Sequence, residues 1–218
     1  MNKTGIRVLG VLLVIAPSIV PGCSLIADFD ESKIPGDGGL LVPGNVTYDV
    51  IRTFNINGTG SVTESAAIPY AEIENSITAN YAAAKDAQDL NVQISSMDLD
   101  WTLGAGNLAQ SADVTVTSSF GNLSGAEHIN LTGTVQGAKA ISLADGAGMG
   151  ALRNDLNTKL FKTPTGPPPT IGVKVTTQGG RFVGSVTVTV HVQISFTTCV
   201  GRQSGGIVDS GLKTCILK

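Results

Sequence analysis

Residues 185–198 read SVTVTVHVQISFTT, the most regular stretch of the chain. Apolar and polar residues alternate without a break, which is the period of a strand with one buried and one wet face. The apolar residues are Val186, Val188, Val190, Val192, Ile194 and Phe196. A strand this long with no charged residue would be an aggregation template at a sheet edge. We therefore expect it at the centre of an antiparallel sheet, with the apolar residues in the core.

Shorter alternating runs precede this stretch. Residues 46–56 alternate in the same way, with Arg52 on the apolar side, and Asn57-Gly58 then favours a hairpin turn. Residues 92–103 change parity near Ser95-Ser96, which predicts a β-bulge. Three further strands are predicted around Val114, Val116 and Phe120, around Ile129, Leu131 and Val135, and around Ile171, Val173 and Val175.

Two stretches have helical spacing instead. Residues 69–88 place Tyr70, Ile73 and Ile77 on one stripe, and residues 149–162 do the same with leucines at every fourth position. The two helices do not alternate regularly with strands, so a parallel doubly wound sheet is not expected. The predicted fold is mainly β, an antiparallel sandwich or open barrel of about eight strands with two helices. A tubular lipid-binding-like α+β domain is the alternative.

Composition excludes several classes of protein. The chain has 218 residues, of which 42% are hydrophobic and 14% charged, and its formal net charge is -3. The apolar content is too high for a disordered chain. The chain has no basic cluster, so we expect no nucleic-acid partner. A multi-span membrane protein is excluded because only one apolar run approaches spanning length.

The first 22 residues have the layout of a secretory signal peptide. Lys3 and Arg7 precede an apolar core, and prolines and a small residue follow it. The next residue is Cys23, and Val20-Pro21-Gly22-Cys23 resembles a bacterial lipobox. This resemblance implies that Cys23 is lipidated and anchors the chain in the cell envelope. Ser24 after the cysteine favours the outer membrane within that family.

The rest of the chain divides in two. Residues 23–44 are acidic and rich in Gly and Pro, which predicts a flexible tether after the lipidated cysteine. Residues 45–218 are predicted to form a single β-rich domain. Cys199 and Cys215 flank a glycine-rich segment of that domain, and in an exported protein they are expected to form a disulfide. The alternative is a free thiol at Cys199.

Few residues suggest chemistry. Asp98 and Asp100 share one strand face and could act as an acid/base pair, but a solvated sheet face is the simpler interpretation. His128 and His191 have no second ligand at helical or loop spacing, so no metal site is predicted. No cofactor and no catalytic residue is predicted. A binding face is placed on the polar side of the long strand, at Thr187, Thr189, His191 and Gln193.

The sequence therefore predicts an exported, lipid-anchored cell-envelope protein with a non-catalytic binding or structural domain. Its predicted partner is the membrane, through the lipid anchor, and its protein or ligand partner is unknown. Two alternatives remain at this point. One is a carrier of an apolar ligand in a barrel cavity, and the other is an exported hydrolase that uses Asp98 and Asp100.

Overall fold

The computed structural model describes residues 39–81, 84, 85, 87, 89–144, 146–162, 164–203 and 206–208. These residues form ten strands and two helices. The strands are β1 (Gly39–Gly58), β2 (Ser61–Ala67), β3 (Asn91–Leu103), β4 (Ser111–Ser118), β5 (Gly121–Asn122), β6 (Glu127–Asn130), β7 (Gln136–Ile141), β8 (Thr170–Gln178), β9 (Phe182–Gln203) and β10 (Gly206–Val208). The helices are α1 (Tyr70–Asn80) and α2 (Ala147–Lys159).

The strands form two antiparallel sheets. Sheet I has the order β1-β9-β3-β7, and β10 also pairs with β9. Sheet II has the order β2-β8-β4-β5, and β6 also pairs with β4. One hydrophobic core contains apolar side chains from both sheets and both helices. The predicted fold class, a mainly β antiparallel sandwich, is confirmed.

The strand that the sequence singled out lies at the centre of sheet I. β9 pairs with β1 on one side and with β3 on the other. Its six alternating apolar residues, from Val186 to Phe196, are each at most 3% exposed. Both the central position and the buried face of this strand are therefore confirmed. The predicted bulge is also present, since the pairing of β3 with β9 shifts between Ile94 and Ser96.

The predicted hairpin at Asn57-Gly58 is wrong. β1 and β2 belong to different sheets, so the connection between them is a corner of the sandwich. Gly60 makes this corner possible, because its φ of 78° lies in the left-handed region that glycine adopts without strain. β1 pairs instead with β9 along its whole length, from Gly39 to Gly58, a ladder far longer than the seven-residue β2 could offer.

Two side chains that the sequence placed in strands lie beyond strand ends. Phe120 follows the end of β4 and is 40% exposed, and Val135 precedes β7 and is 71% exposed. Arg52 does lie on the inward side of β1, as its parity predicts. It stays there because its guanidinium pairs with Glu72 of α1, with 2.7 Å between Nη2 and Oε2.

The helices pack against each other and against the sheets. The Tyr70 hydroxyl of α1 donates a hydrogen bond to Asp155 of α2 at 2.7 Å. Arg153 of α2 donates to the Ile94 carbonyl of β3, so this helix covers the part of β3 that β7 does not reach. Within the described part of the chain, neither helix is long and apolar enough to cross a membrane.

Several predictions concern other parts of the chain. The signal peptide, the lipobox and Cys23 lie outside the described residues, and so does Cys215. Lipidation of Cys23 and the disulfide between Cys199 and Cys215 therefore stay predictions. The first strand begins at Gly39, so residues 39–44, which the sequence assigned to the tether, belong to the sandwich.

Candidate functional site

The predicted binding face is the outer face of sheet I, which we define as the side of β1, β9 and β3 that points away from sheet II. Thr187, Thr189, His191 and Gln193 all lie on it, because they alternate with the buried valines of β9. The structure thus places all four residues on one polar surface. The pairing of strands adds side chains from β1 and β3 to this surface.

His191 is held between two carboxylates on this face. Its Nδ1 lies 2.7 Å from Oδ1 of Asp49, which is the residue directly opposite on β1. Its Nε2 lies 2.9 Å from Oδ2 of Asp98 on β3. Three strands therefore contribute one side chain each to this cluster. The side chain of His191 is 31% exposed to solvent.

These contacts favour the charged imidazole. The hydrogen bond with Asp98 raises the pKa of His191, partial burial opposes this, and Asp49 raises the pKa further. An imidazolium can donate to both carboxylates at once, whereas a neutral ring carries only one N–H. In its charged form, His191 of β9 therefore binds carboxylates of both neighbouring strands, Asp49 on β1 and Asp98 on β3.

The cluster gives little support to acid/base chemistry at Asp98 and Asp100. Asp98 is engaged by His191, and Asp100 lies on the same face opposite Thr187 of β9, where it is exposed. Among the residues that the structure describes, no group of three or more His, Cys, Asp or Glu side chains is placed to hold a metal ion.

The second histidine lies elsewhere. His128 is on β6 of sheet II, and its Nδ1 lies 2.8 Å from Oδ1 of Asp113 on β4. Its side chain is 59% exposed. The structure therefore does not bring His128 and His191 into one site.

A second surface feature lies at one end of the sandwich, and the sequence did not predict it. An open groove of about 610 Å³ runs between residues 103–110, at the end of β3 and in the loop after it, and residues 131–135, before β7. We call it the end groove. None of its lining residues is charged. Leu108 and Val135 stand at this groove with exposures of 69% and 71%.

Backbone hydrogen bonds fix the walls of the end groove. The Leu103 amide donates to the Val135 carbonyl at 2.7 Å, and the Leu131 amide donates to the Gln110 carbonyl at 2.9 Å. The Leu108 amide donates to the Arg181 carbonyl at 2.8 Å, which ties the loop to the start of β9. The groove is therefore preformed. The one sequence signal that could have found it is the absence of charge from residues 103–110, LGAGNLAQ.

No family model matches the chain, and no curated protein matches it. Solved structures that resemble it come from viruses. Desmodium yellow mottle tymovirus gives a TM-score of 0.36 at 15% identity, covering 94% of this chain and 100% of that chain. A structure of turnip yellow mosaic virus has a TM-score of 0.37 and 10% identity, and the match covers 76% of this chain and 100% of the viral chain. The structure of the decameric BFDV capsid protein has a TM-score of 0.31 and 9% identity, and the match covers 75% of this chain and 100% of the capsid chain.

These findings correct the functional prediction. The sequence predicted a lipid-anchored protein of the cell envelope or, failing that, a ligand carrier or an exported hydrolase, whereas the similar structures are of viruses and a capsid protein. The predicted envelope role, membrane partner and outer-membrane location are therefore wrong. Identities of 9 to 15% assign no function to this chain.

Proposed function

We propose that this chain is a non-catalytic structural protein whose β-sandwich assembles with further copies of itself. The observation that carries the proposal is the end groove, a preformed, uncharged surface flanked by exposed Leu108 and Val135. Burial of these two side chains in a contact between copies would remove exposed apolar surface from water.

The chemistry of the groove favours a protein partner over a small molecule. Small-molecule sites use a few convergent polar or charged groups to orient the ligand. In the end groove the main-chain groups of Leu103, Leu108 and Leu131 are already used to hold the walls together. The lining offers no titratable side chain that could direct a substrate.

The ion cluster on the outer face of sheet I supports the non-catalytic part of the proposal. A histidine that acts as a general base needs a ring nitrogen within reach of a substrate proton. Both ring nitrogens of His191 face carboxylates at 2.7 and 2.9 Å, so neither is directed at open solvent. The arrangement stabilises the sheet and does not resemble a nucleophile with an adjacent base.

Sedimentation velocity of the full chain over a range of concentrations tests the proposal. We expect species heavier than the 22.3 kDa chain, and their share should rise with concentration. A double variant, Leu108→Ser with Val135→Ser, should shift the distribution towards the monomer. Ile51→Ser is the matched control, because Ile51 is also an exposed apolar residue, at 47%, but lies on β1 away from the groove.

Two outcomes would overturn the proposal. One is a full chain that stays monomeric at every concentration. The other is a double variant that associates as strongly as the unmodified chain, since association would then not involve the end groove.

A further inference from the structure

We propose that the end groove receives Phe120 from a neighbouring copy, so that the sandwiches join head to tail. This inference rests on the proposed function, because it requires that the chain assembles with itself. It adds the identity of the occupant and the geometry of the contact.

Phe120 is presented at the tip of a short hairpin. β4 and β5 pair through Ser118 and Gly121, and Ser119 and Phe120 form the turn between them. The Phe120 amide donates to the Ser118 hydroxyl oxygen at 3.1 Å, and that hydroxyl donates to the Gly121 carbonyl at 3.1 Å. The aromatic ring is therefore carried on an ordered turn while it remains 40% exposed. An ordered anchor loses little entropy on docking.

Phe120 cannot fill the groove of its own copy. The groove includes Gln110, directly before β4 begins, whereas Phe120 follows the end of the same strand. Eight strand residues at about 3.3 Å each separate the two by roughly 26 Å. Knob and groove thus lie at opposite ends of one rigid strand, and their contact has to be between copies.

The two surfaces match in chemistry. Residues 117–126, TSSFGNLSGA, contain no charged residue, and neither does the lining of the groove. Bringing them together therefore buries no unpaired charge, which would cost several kcal/mol. Aromatic side chains also dominate the energetics of protein interfaces. The exposed 40% of Phe120 is the apolar area that docking into the groove would bury.

The described part of the chain begins and ends away from the groove. Gly39 and Val208 are the outermost described residues, and both pair with Gly201 of β9. The groove lies near the other end of β9, where Arg181 accepts hydrogen bonds from Leu108 and Ala109. Gly39 and Val208 therefore lie at the end of sheet I that is away from the groove.

A contact between two different surfaces has a consequence for assembly. Each copy offers one knob and one groove, so the interface is heterologous and the copies add one after another into a ring or an open array. A symmetric dimer would instead use the same patch twice. This difference allows a complementation test with two single variants of the full chain.

The test uses Phe120→Ser, which removes the knob, and Leu108→Ser, which damages the groove. Each variant alone should lose at least about 10-fold in self-association, because the proposal makes Phe120 and Leu108 two of the few residues that dominate the interface. Mixed in equal amounts, they should form a species of two chains and no larger one, because only one intact knob–groove pair remains. Ile51→Ser serves as the control, and thermal melting checks that each variant is folded.

The outcomes separate the two proposals. If the unmodified chain stays monomeric, both proposals fail. If it assembles through the groove but Phe120→Ser assembles equally well, only the head-to-tail inference fails, and another segment occupies the groove. If both variants lose assembly but the mixture stays monomeric, the contact is not between Phe120 and the groove.

Discussion

The two histidines of this protein occupy equivalent faces of two different sheets, and their surroundings differ. His191 lies on the central strand β9 and contacts carboxylates from both neighbouring strands, Asp49 and Asp98. His128 lies on the short strand β6, which pairs with β4 at the edge of sheet II, and among the described residues its ring contacts one carboxylate, that of Asp113. The side chain of His128 is 59% exposed, against 31% for His191.

The difference shows how the position of a strand sets the electrostatics of a side chain. A residue on a central strand has cross-strand neighbours on both sides, whereas a residue on an edge strand has them on one side. An ion pair that is mostly exposed contributes little stability, because water and salt screen it. We therefore expect the cluster around His191 to affect stability and the pair at His128 to affect it hardly at all.

The largest expected effect on stability tests which face of β9 is buried, because the comparison of the histidines depends on that assignment. Val190 precedes His191 and is 1% exposed, whereas Thr189 points to the outer face. Val190→Asp buries an unpaired charge and should cost about 4 kcal/mol or more, a large share of the roughly 5–15 kcal/mol by which a native domain is stable. Thr189→Asp should remain folded. Urea unfolding followed by circular dichroism measures both, and similar stability of the two variants would show that the faces are assigned wrongly.

Much of the fold could be predicted because alternation is a local signal. The parity of residues 185–198 identifies the buried face of β9, and the change of parity near Ser95 identifies the bulge in β3. The corner at Gly60 could not be predicted in this way. The dipeptide Asn57-Gly58 is compatible with a hairpin, and only the long-range pairing of β1 with β9 excludes one. Local turn chemistry does not contain that information.

The next largest effect on stability is expected from replacing the two histidines one at a time. At pH 6, His191→Gln removes a charged group that bonds to two carboxylates and should lower the free energy of unfolding by about 1 kcal/mol. His128→Gln removes one exposed pair and should change it by less than about 0.5 kcal/mol. Chemical denaturation of both variants beside the unmodified chain gives the two values. Equal losses would mean that the number of cross-strand carboxylates does not decide the stability.

The candidate sites could be predicted only in part. Alternation placed His191 and Asp98 on polar faces, but their contact depends on the register between β9 and β3, which the bulge shifts. Asp49 is 142 residues from His191 in the sequence, so no spacing rule could connect them. The end groove was missed for a related reason. It forms where two loops from different parts of the chain meet, and Val135 was assigned to a strand core because its parity fitted one.

The smallest effect is the pH dependence of the stability that His191 provides. Asp98 and Asp49 raise the pKa of His191 in the folded protein above the unfolded value of about 6.5. A raised folded pKa means that the stabilisation is fully present below about pH 6.5 and is lost as the pH rises through the folded pKa. The difference in unfolding free energy between the unmodified chain and His191→Gln should therefore shrink between pH 6 and pH 9. His128→Gln, measured over the same range, controls for groups elsewhere in the protein.

Added salt should also reduce the difference in unfolding free energy between the unmodified chain and His191→Gln at pH 6, because half-exposed charges are screened. A difference that stayed constant with pH would mean that His191 stabilises the sheet through packing, and that its charge contributes nothing.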